Sequence, residues 1–155
     1  ASPQRYDMVL SRLKVQSDDL LQWPVAGRTF KWFDLSFTQV DDRLFEGEQG
    51  KEWQAVRLSL EGTKVTGRSM ESILKMPKLE ELDLSLCDVH DSDLEGFRGN
   101  TRIKYLWLTG TKISDQSIEV LKTMRSLELL ELSNTGVTQE GIKKLKRSLP
   151  KWKSQ

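Results

Sequence analysis

The sequence predicts an α/β solenoid, a right-handed stack of repeats in which each unit is a short strand, a corner, a helix and a return. Two observations carry this. The first is a fixed spacing of 24 residues. Leu58, Leu82, Leu106 and Leu130 recur in phase with Leu60, Leu84, Leu108 and Leu132, then with Thr63, Cys87, Thr111 and Thr135. Val65, Val89, Ile113 and Val137 follow, then Met70, Leu94, Ile118 and Ile142, then Ile73, Phe97, Leu121 and Leu145. Six such columns, unbroken over roughly 90 residues, are the mark of a repeat architecture. The second is a change of period inside each unit. Leu82 and Leu84 alternate with Glu81, Asp83 and Ser85, as in a half-buried strand. Leu94 and Phe97 are then three apart, as on one helix face. Mean hydropathy is low, −0.52. An elongated stack tolerates this because it keeps more surface per residue than a sphere.

The elements follow in order. Residues 4–22 read as a helical cap, bent or double, with Tyr6, Val9, Leu10, Leu13, Leu20 and Leu21 as its apolar stripe. Trp23-Pro24 ends it, because the residue before proline disfavours helix. Phe33, Leu35, Thr38 and Val40 form a degenerate repeat, 25 residues ahead of Leu58, Leu60, Thr63 and Val65. Five parallel strands are therefore expected, near residues 32–36, 56–60, 80–84, 104–108 and 128–132. Each joins the next by a right-handed crossover. Thr66, His90, Ser114 and Thr138 share the corner position, followed by Gly67, Asp91, Asp115 and Gln139. Ser or Thr there caps the first helical N–H groups, and Asp in the first turn suits the helix dipole. Glu140 to Ser148 is the final helix, and Lys151-Trp152-Lys153 a loosely held tail. The boundaries are 1–30 for the cap, 31–150 for the solenoid and 151–155 for the tail, one structural domain in all.

The string Leu79-Glu80-Glu81-Leu82-Asp83-Leu84-Ser85-Leu86-Cys87-Asp88-Val89 resembles the leucine-rich repeat family. The 24-residue form in Leu106-Trp107-Leu108-Thr109-Gly110-Thr111-Lys112-Ile113-Ser114-Asp115 is similar to bacterial repeats of planctomycete type, and to the cysteine-containing repeats of ubiquitin-ligase adaptors. The usual asparagine is replaced by Thr or Cys. The resemblance covers about Phe30 to Pro150 and implies a horseshoe segment that serves as a binding scaffold. Fold alone does not give the function.

Charge and composition narrow the function classes. Lys plus Arg is 24 against 23 for Asp plus Glu, so no basic surplus points to nucleic acid. One cysteine excludes an internal disulfide. No apolar run reaches the roughly 18 residues of a membrane span. The start at Ala1-Ser2-Pro3, without methionine, reads as a processed or trimmed product. An anchor or signal upstream would supply membrane contact, and an exported or cell-envelope setting is favoured over a cytoplasmic one.

No enzyme is expected, a metal-dependent one being the remote alternative. Cys87, His90, Asp91 and Asp93 lie within seven residues and can all ligate metal, but Cys87 and His90 occupy structural columns and no second cluster completes a tetrahedral set. Phosphate loops, GxSxG and HExxH are absent. No cofactor is expected. The candidate site is the outward strand face. Its columns are Trp32, Arg57, Glu81, Tyr105, Leu129; then Asp34, Ser59, Asp83, Trp107, Glu131; then Ser36, Glu61, Ser85, Thr109, Ser133. Tyr105 and Trp107, with Glu81, Asp83, Arg57, Glu131 and Trp32 around them, are the expected contacts for a protein or peptide partner, since aromatic residues anchor interfaces. The opposing reading is that the cap or an altered curvature covers them. The basic set Lys143, Lys144, Lys146, Arg147, Lys151 and Lys153 reads either as an anionic-partner patch or as a solvated helix end. A second function class is a structural spacer of a larger exported or anchored protein.

Overall fold

One strand from each repeat joins a single parallel sheet in sequence order: β1 (Tyr6–Val9), β2 (Phe30–Asp34), β3 (Ala55–Ser59), β4 (Glu81–Asp83), β5 (Tyr105–Trp107) and β6 (Leu129–Glu131). The computed structural model describes residues 6–153. The register follows the sequence period. Leu58, Leu82, Leu106 and Leu130 stand side by side, and Phe33 pairs with Leu58 across a 25-residue step. All of these side chains are buried, and with Leu35, Leu60, Leu84, Leu108 and Leu132 they form one continuous core.

The opposite layer is thinner than the sequence suggests. Its segments are mainly single 3-10 turns, some followed by one α turn: Asp42–Phe45 then Gly47–Gly50, Gly67–Ser69 then Met70–Leu74, Asp91–Phe97, and Asp115–Ser117 then Ile118–Leu121. The reason is geometric. Strands stack about 4.8 Å apart, whereas a full α-helix is about 10 Å wide. A tight, slim turn fits that spacing. The last segment, Gln139–Ser148, runs as a ten-residue α-helix.

The N-terminal segment differs from the expected helix. Residues 6–9 are strand β1, and only Ser17–Leu21 is helical. Residues 4 and 5 of the expected helix lie outside the described residues, as do residues 154 and 155 of the tail. The physical reason is the open edge of β2. Leu10 N donates to Asp34 O and Arg12 N to Ser36 O, both within 2.9 Å, and Gln39 N donates to Val15 O. Met8 pairs with Phe33 in the same column. The stretch is thus a sixth repeat whose apolar spacing happens to fit a helix as well. The sheet therefore has six strands rather than five, and the solenoid starts before residue 31. The tail is also held: Trp152 packs partly buried against the core, and Lys153 N donates to Glu128 O at 3.3 Å.

Two polar ladders run along the stack, the first made mainly within repeats and the second between them. Thr38, Thr63, Thr111 and Thr135 each donate to the carbonyl three residues back at 2.7 Å. Cys87 reaches instead to Leu60 O of the preceding repeat, at 3.1 Å. On the other layer the expected caps form, with Arg68 N, Gln116 N and Gly141 N donating to Thr66, Ser114 and Thr138. Each of those hydroxyls also donates backwards, to a carboxylate of the repeat before: Thr66 to Asp42, Ser114 to Asp91, Thr138 to Asp115. Asp42, Asp91 and Asp115 are therefore clamps between repeats as well as first-turn acids. Gly67 stands where a fourth would be, and there Asp93 crowds the place of the missing Cβ.

A third column lies at the end of each strand, where the chain turns. Arg12, Phe37, Gly62, Leu86, Gly110 and Asn134 all have positive φ, between 54° and 69°. From Arg12 to Gly110 each is the third residue of a β-turn closed on the carbonyl two places earlier, as in Cys87 N to Leu84 O at 3.1 Å; after Asn134 the Thr135 hydroxyl donates to Leu132 O, at 2.7 Å. Glycine and asparagine suit that position, and other residues there are strained. The strain has a compensation. Where the corner residue is Phe37, Leu86 or Asn134, a carboxylate just ahead of the turn accepts from its second N–H: Ser36 N to Asp34, Ser85 N to Asp83, Ser133 N to Glu131, all within 3.0 Å. Where it is Gly62 or Gly110, Ser59 or Trp107 takes the place of that acid. From β2 onward, braced and glycine corners alternate. The alternation is also steric, since Phe37 lies over Gly62 and Leu86 over Gly110, 2.7 Å from where a Cβ would stand.

Candidate functional site

Strand alternation aims Trp32, Arg57, Glu81 and Tyr105 outward in adjacent register, and Asp34, Ser59, Asp83, Trp107 and Glu131 in the second outward column. Side chains in register on neighbouring strands touch, so chemistry is set by which residues are neighbours across the sheet. Arg57 lies between Trp32 and Glu81. Its guanidinium sits 5.2 Å from the Trp32 ring centroid, and its Nε meets Glu81 Oε2 at 2.7 Å. Tyr105 and Trp107 stack on one another, 6.4 Å between centroids and 19° between planes. The Tyr105 hydroxyl donates to Glu128 Oε2 at 3.1 Å. That bond and the negative charge of Glu128 and Glu81 push the phenol above its ordinary range.

Of the seven residues expected from sequence, five line one shallow cavity of 160 Å³: Trp32, Arg57, Glu81, Asp83 and Trp107, with Leu58 and Ser59 as its floor. Tyr105 opens instead onto a hollow beside Glu128, Leu129, Pro150 and the tail residues Lys151 to Lys153. Glu131 lies apart, in a cavity of 490 Å³ at the end of the stack, formed with Asn134, Ile142, Lys146 and Trp152. Asp83 and Glu131 also have the structural duty described above, as corner braces. The repeated triplets Asp34-Leu35-Ser36, Asp83-Leu84-Ser85 and Glu131-Leu132-Ser133 are the sequence signal of that duty. The N-terminal segment does not cover the aromatic pair, because it adds a strand to the far edge of the sheet.

Sequence reading placed Glu61 on the outward face but did not single it out as a contact. It stands in the third outward column with no hydrogen bond to its carboxylate among the described residues. Burial, together with the charges of Asp83 and Asp34, pushes its carboxyl up, while Arg12 opposes this. Arg12 itself is drawn over the Phe37 ring, 5.0 Å from its centroid.

The cluster around Cys87 points in different directions. Cys87 is buried, and burial pushes its thiol up to about 11. His90 Nε2 meets Asp88 at 3.1 Å on the surface. Asp91 holds Ser114 and Ser117, and Asp93 accepts from His90 N. Among the described residues no group of three or more His, Cys, Asp or Glu is arranged to hold a metal. No helix among them is long and apolar enough to cross a membrane. Lys143, Lys144, Lys146 and Arg147 are exposed around the buried Leu145.

A leucine-rich repeat family model matches residues 75–97, the span from the loop before β4 through Asp91–Phe97. No curated protein matches the chain. With the parallel six-stranded sheet, the match identifies the architecture as a leucine-rich-repeat solenoid. Folds of this family generally serve protein–protein interaction and are typically non-enzymatic.

Proposed function

We propose that this chain is a non-catalytic interaction module that binds a protein or peptide across the outward face of its sheet. The unbroken 24-residue spacing and the Thr/Cys column support placing it with the bacterial-type or cysteine-containing repeats. The observation that carries the reading is the Tyr105–Trp107 stack, beside a cavity that five of the expected residues share. These rings are half-buried and occupy columns that the repeat does not constrain. Aromatic residues held rigid by stacking contribute contact area at low entropic cost, which is what interface anchors do. The strand face also offers an extended platform, a usual binding surface of solenoids.

The test is capture from the native lysate with wild type and with the Tyr105→Ala/Trp107→Ala double variant. A partner retained by wild type and lost by the variant is expected, with the melting transition of the variant unchanged. Equal recovery of every partner by both proteins refutes the reading.

A further inference from the structure

The chemistry of the shallow cavity between Trp32 and Trp107 is already rehearsed inside the molecule. On its Trp32 side, Arg57 lies on an indole face and pairs with Glu81. A cation over a tryptophan ring next to a carboxylate is a favourable pairing, stronger when partly desolvated. The Trp107 side has the same parts without the cation. Trp107 is next to Asp83 in register. Asp83 Oδ1 accepts from Ser85 N, and its Oδ2 makes no hydrogen bond among the described residues.

Charge points the same way. In the three outward columns from β2 to β6, Asp34, Glu61, Glu81, Asp83 and Glu131 are acidic, and Arg57 is the only cation. Arg57 is committed to Glu81, which leaves Asp34, Glu61 and Asp83 to repel one another. Burial first, and then the charges of Asp83 and Asp34 against that of Arg12, raise the Glu61 carboxyl. Size sets the scale of the guest. At 160 Å³ the cavity is below the roughly 300–1,000 Å³ of small-molecule sites, so it suits one side chain.

We infer that this cavity receives a single arginine or lysine side chain of the protein partner, lying on Trp107 and paired with Asp83. The inference rests on the sheet face being the binding surface, and it names the chemistry that surface selects. A partner segment with one basic residue amid neutral ones is the fit, because Arg57 repels a denser cluster. Arginine is preferred over lysine, since its flat guanidinium stacks on indole and forks onto carboxylate.

The probe is the peptide acetyl-Gly-Gly-Arg-Gly-Gly-amide, with citrulline in place of arginine as a neutral control of the same shape. Binding is followed by the indole N–H signals of Trp32 and Trp107 in two-dimensional NMR of the full chain. Saturable shifts with the arginine peptide are expected, with at least tenfold weaker binding of the citrulline peptide. Trp107→Ala should abolish the response. Asp83→Asn should weaken it about tenfold, and Glu61→Gln, which leaves the corner brace intact, several-fold. Unmoved indole signals, or equal binding of the two peptides, overturn the inference. If the lysate partner still needs Tyr105 and Trp107 while the arginine peptide fails, the binding face stands and the cation cavity falls. If the peptide binds but no partner depends on Tyr105 and Trp107, the cavity is not a partner anchor and the inference falls with the proposed function.

Discussion

Replacing Asp91 by alanine removes three acceptor contacts at once, and their surroundings fix what each is worth. Asp91 accepts from Ser114 N at 2.8 Å, from the Ser114 hydroxyl at 2.8 Å and from the Ser117 hydroxyl at 2.5 Å. All three donors belong to the next repeat. Ser117 is 1% exposed, so its hydroxyl is stranded when the carboxylate goes. A stranded buried group costs about 1–3 kcal/mol, while the two donors nearer the surface regain water and forfeit about 0.5 kcal/mol each. The expected loss is therefore about 3 kcal/mol, near the upper end of ordinary single substitutions. With a urea slope near 2 kcal/mol/M this moves the midpoint by about 1.5 M. Urea unfolding followed by circular dichroism measures it. In a Ser117→Ala background the cost of Asp91→Ala should fall by about 1–2 kcal/mol, because the stranded hydroxyl is gone. Burial raises the Asp91 carboxyl, but the bonds from Ser117 and Ser114 outweigh it and hold the group below its ordinary value. A depressed carboxyl stabilises above the unfolded value, near pH 3.9, and the benefit fades as pH falls through the folded value. The gap between wild type and variant should thus close below about pH 4. A cost under about 0.5 kcal/mol, or strict additivity with Ser117→Ala, refutes the clamp.

Three further outcomes follow from the corner column and the core. Gly62→Ala places a Cβ 2.7 Å from Phe37 Cδ1 at a φ of +65°. It should lower stability by about 2–3 kcal/mol in thermal melts, of which about 1 kcal/mol remains in a Phe37→Ala background; no loss in the single variant would refute the packing of ring over glycine. The buried Cys87 thiol should resist a disulfide reagent at pH values where a free thiol reacts, and react fully in denaturant. Cys87→Thr should cost under about 1 kcal/mol, because the column accepts threonine in the other repeats. Rapid labelling of the native protein would contradict the burial.

Much of this architecture is legible in the leucines. From Leu58 onward the period sets strand order, register and core without reference to coordinates. The first repeat was hidden because Tyr6, Val9, Leu10 and Leu13 stand at spacings of three and four, which suit a helix stripe, while Met8 and Leu10 are two apart, as on one face of a strand. Tertiary pairing with β2 decides between them. Adding 25 to Met8, Leu10 and Val15 lands on Phe33, Leu35 and Val40, a signal that outlasts the ambiguity. The aromatic part of the site was legible because Trp107 departs from an otherwise polar column and Tyr105 stands two residues before it, on the same strand face. The double duty of Asp83 and Glu131 was not, since a carboxylate two residues before a serine looks the same on paper whether it faces water or its own turn. Positive φ at Phe37 and Leu86 was hidden for a like reason, as neither residue type advertises it.

The alternation of corners means that this solenoid counts in twos. Each bulky corner side chain lies across a glycine of the following turn, so neighbours from β2 to β5 form lock-and-notch couples: Phe37 with Gly62, Leu86 with Gly110. Excising the single turn that carries Gly62 would set Phe37 against Leu86, two locks with no notch. Copying one turn in isolation would likewise create a lock facing a lock, or a notch left empty. From β2 to β5, then, the unit that closes sterically on itself is the couple rather than the 24-residue turn that the leucines spell out.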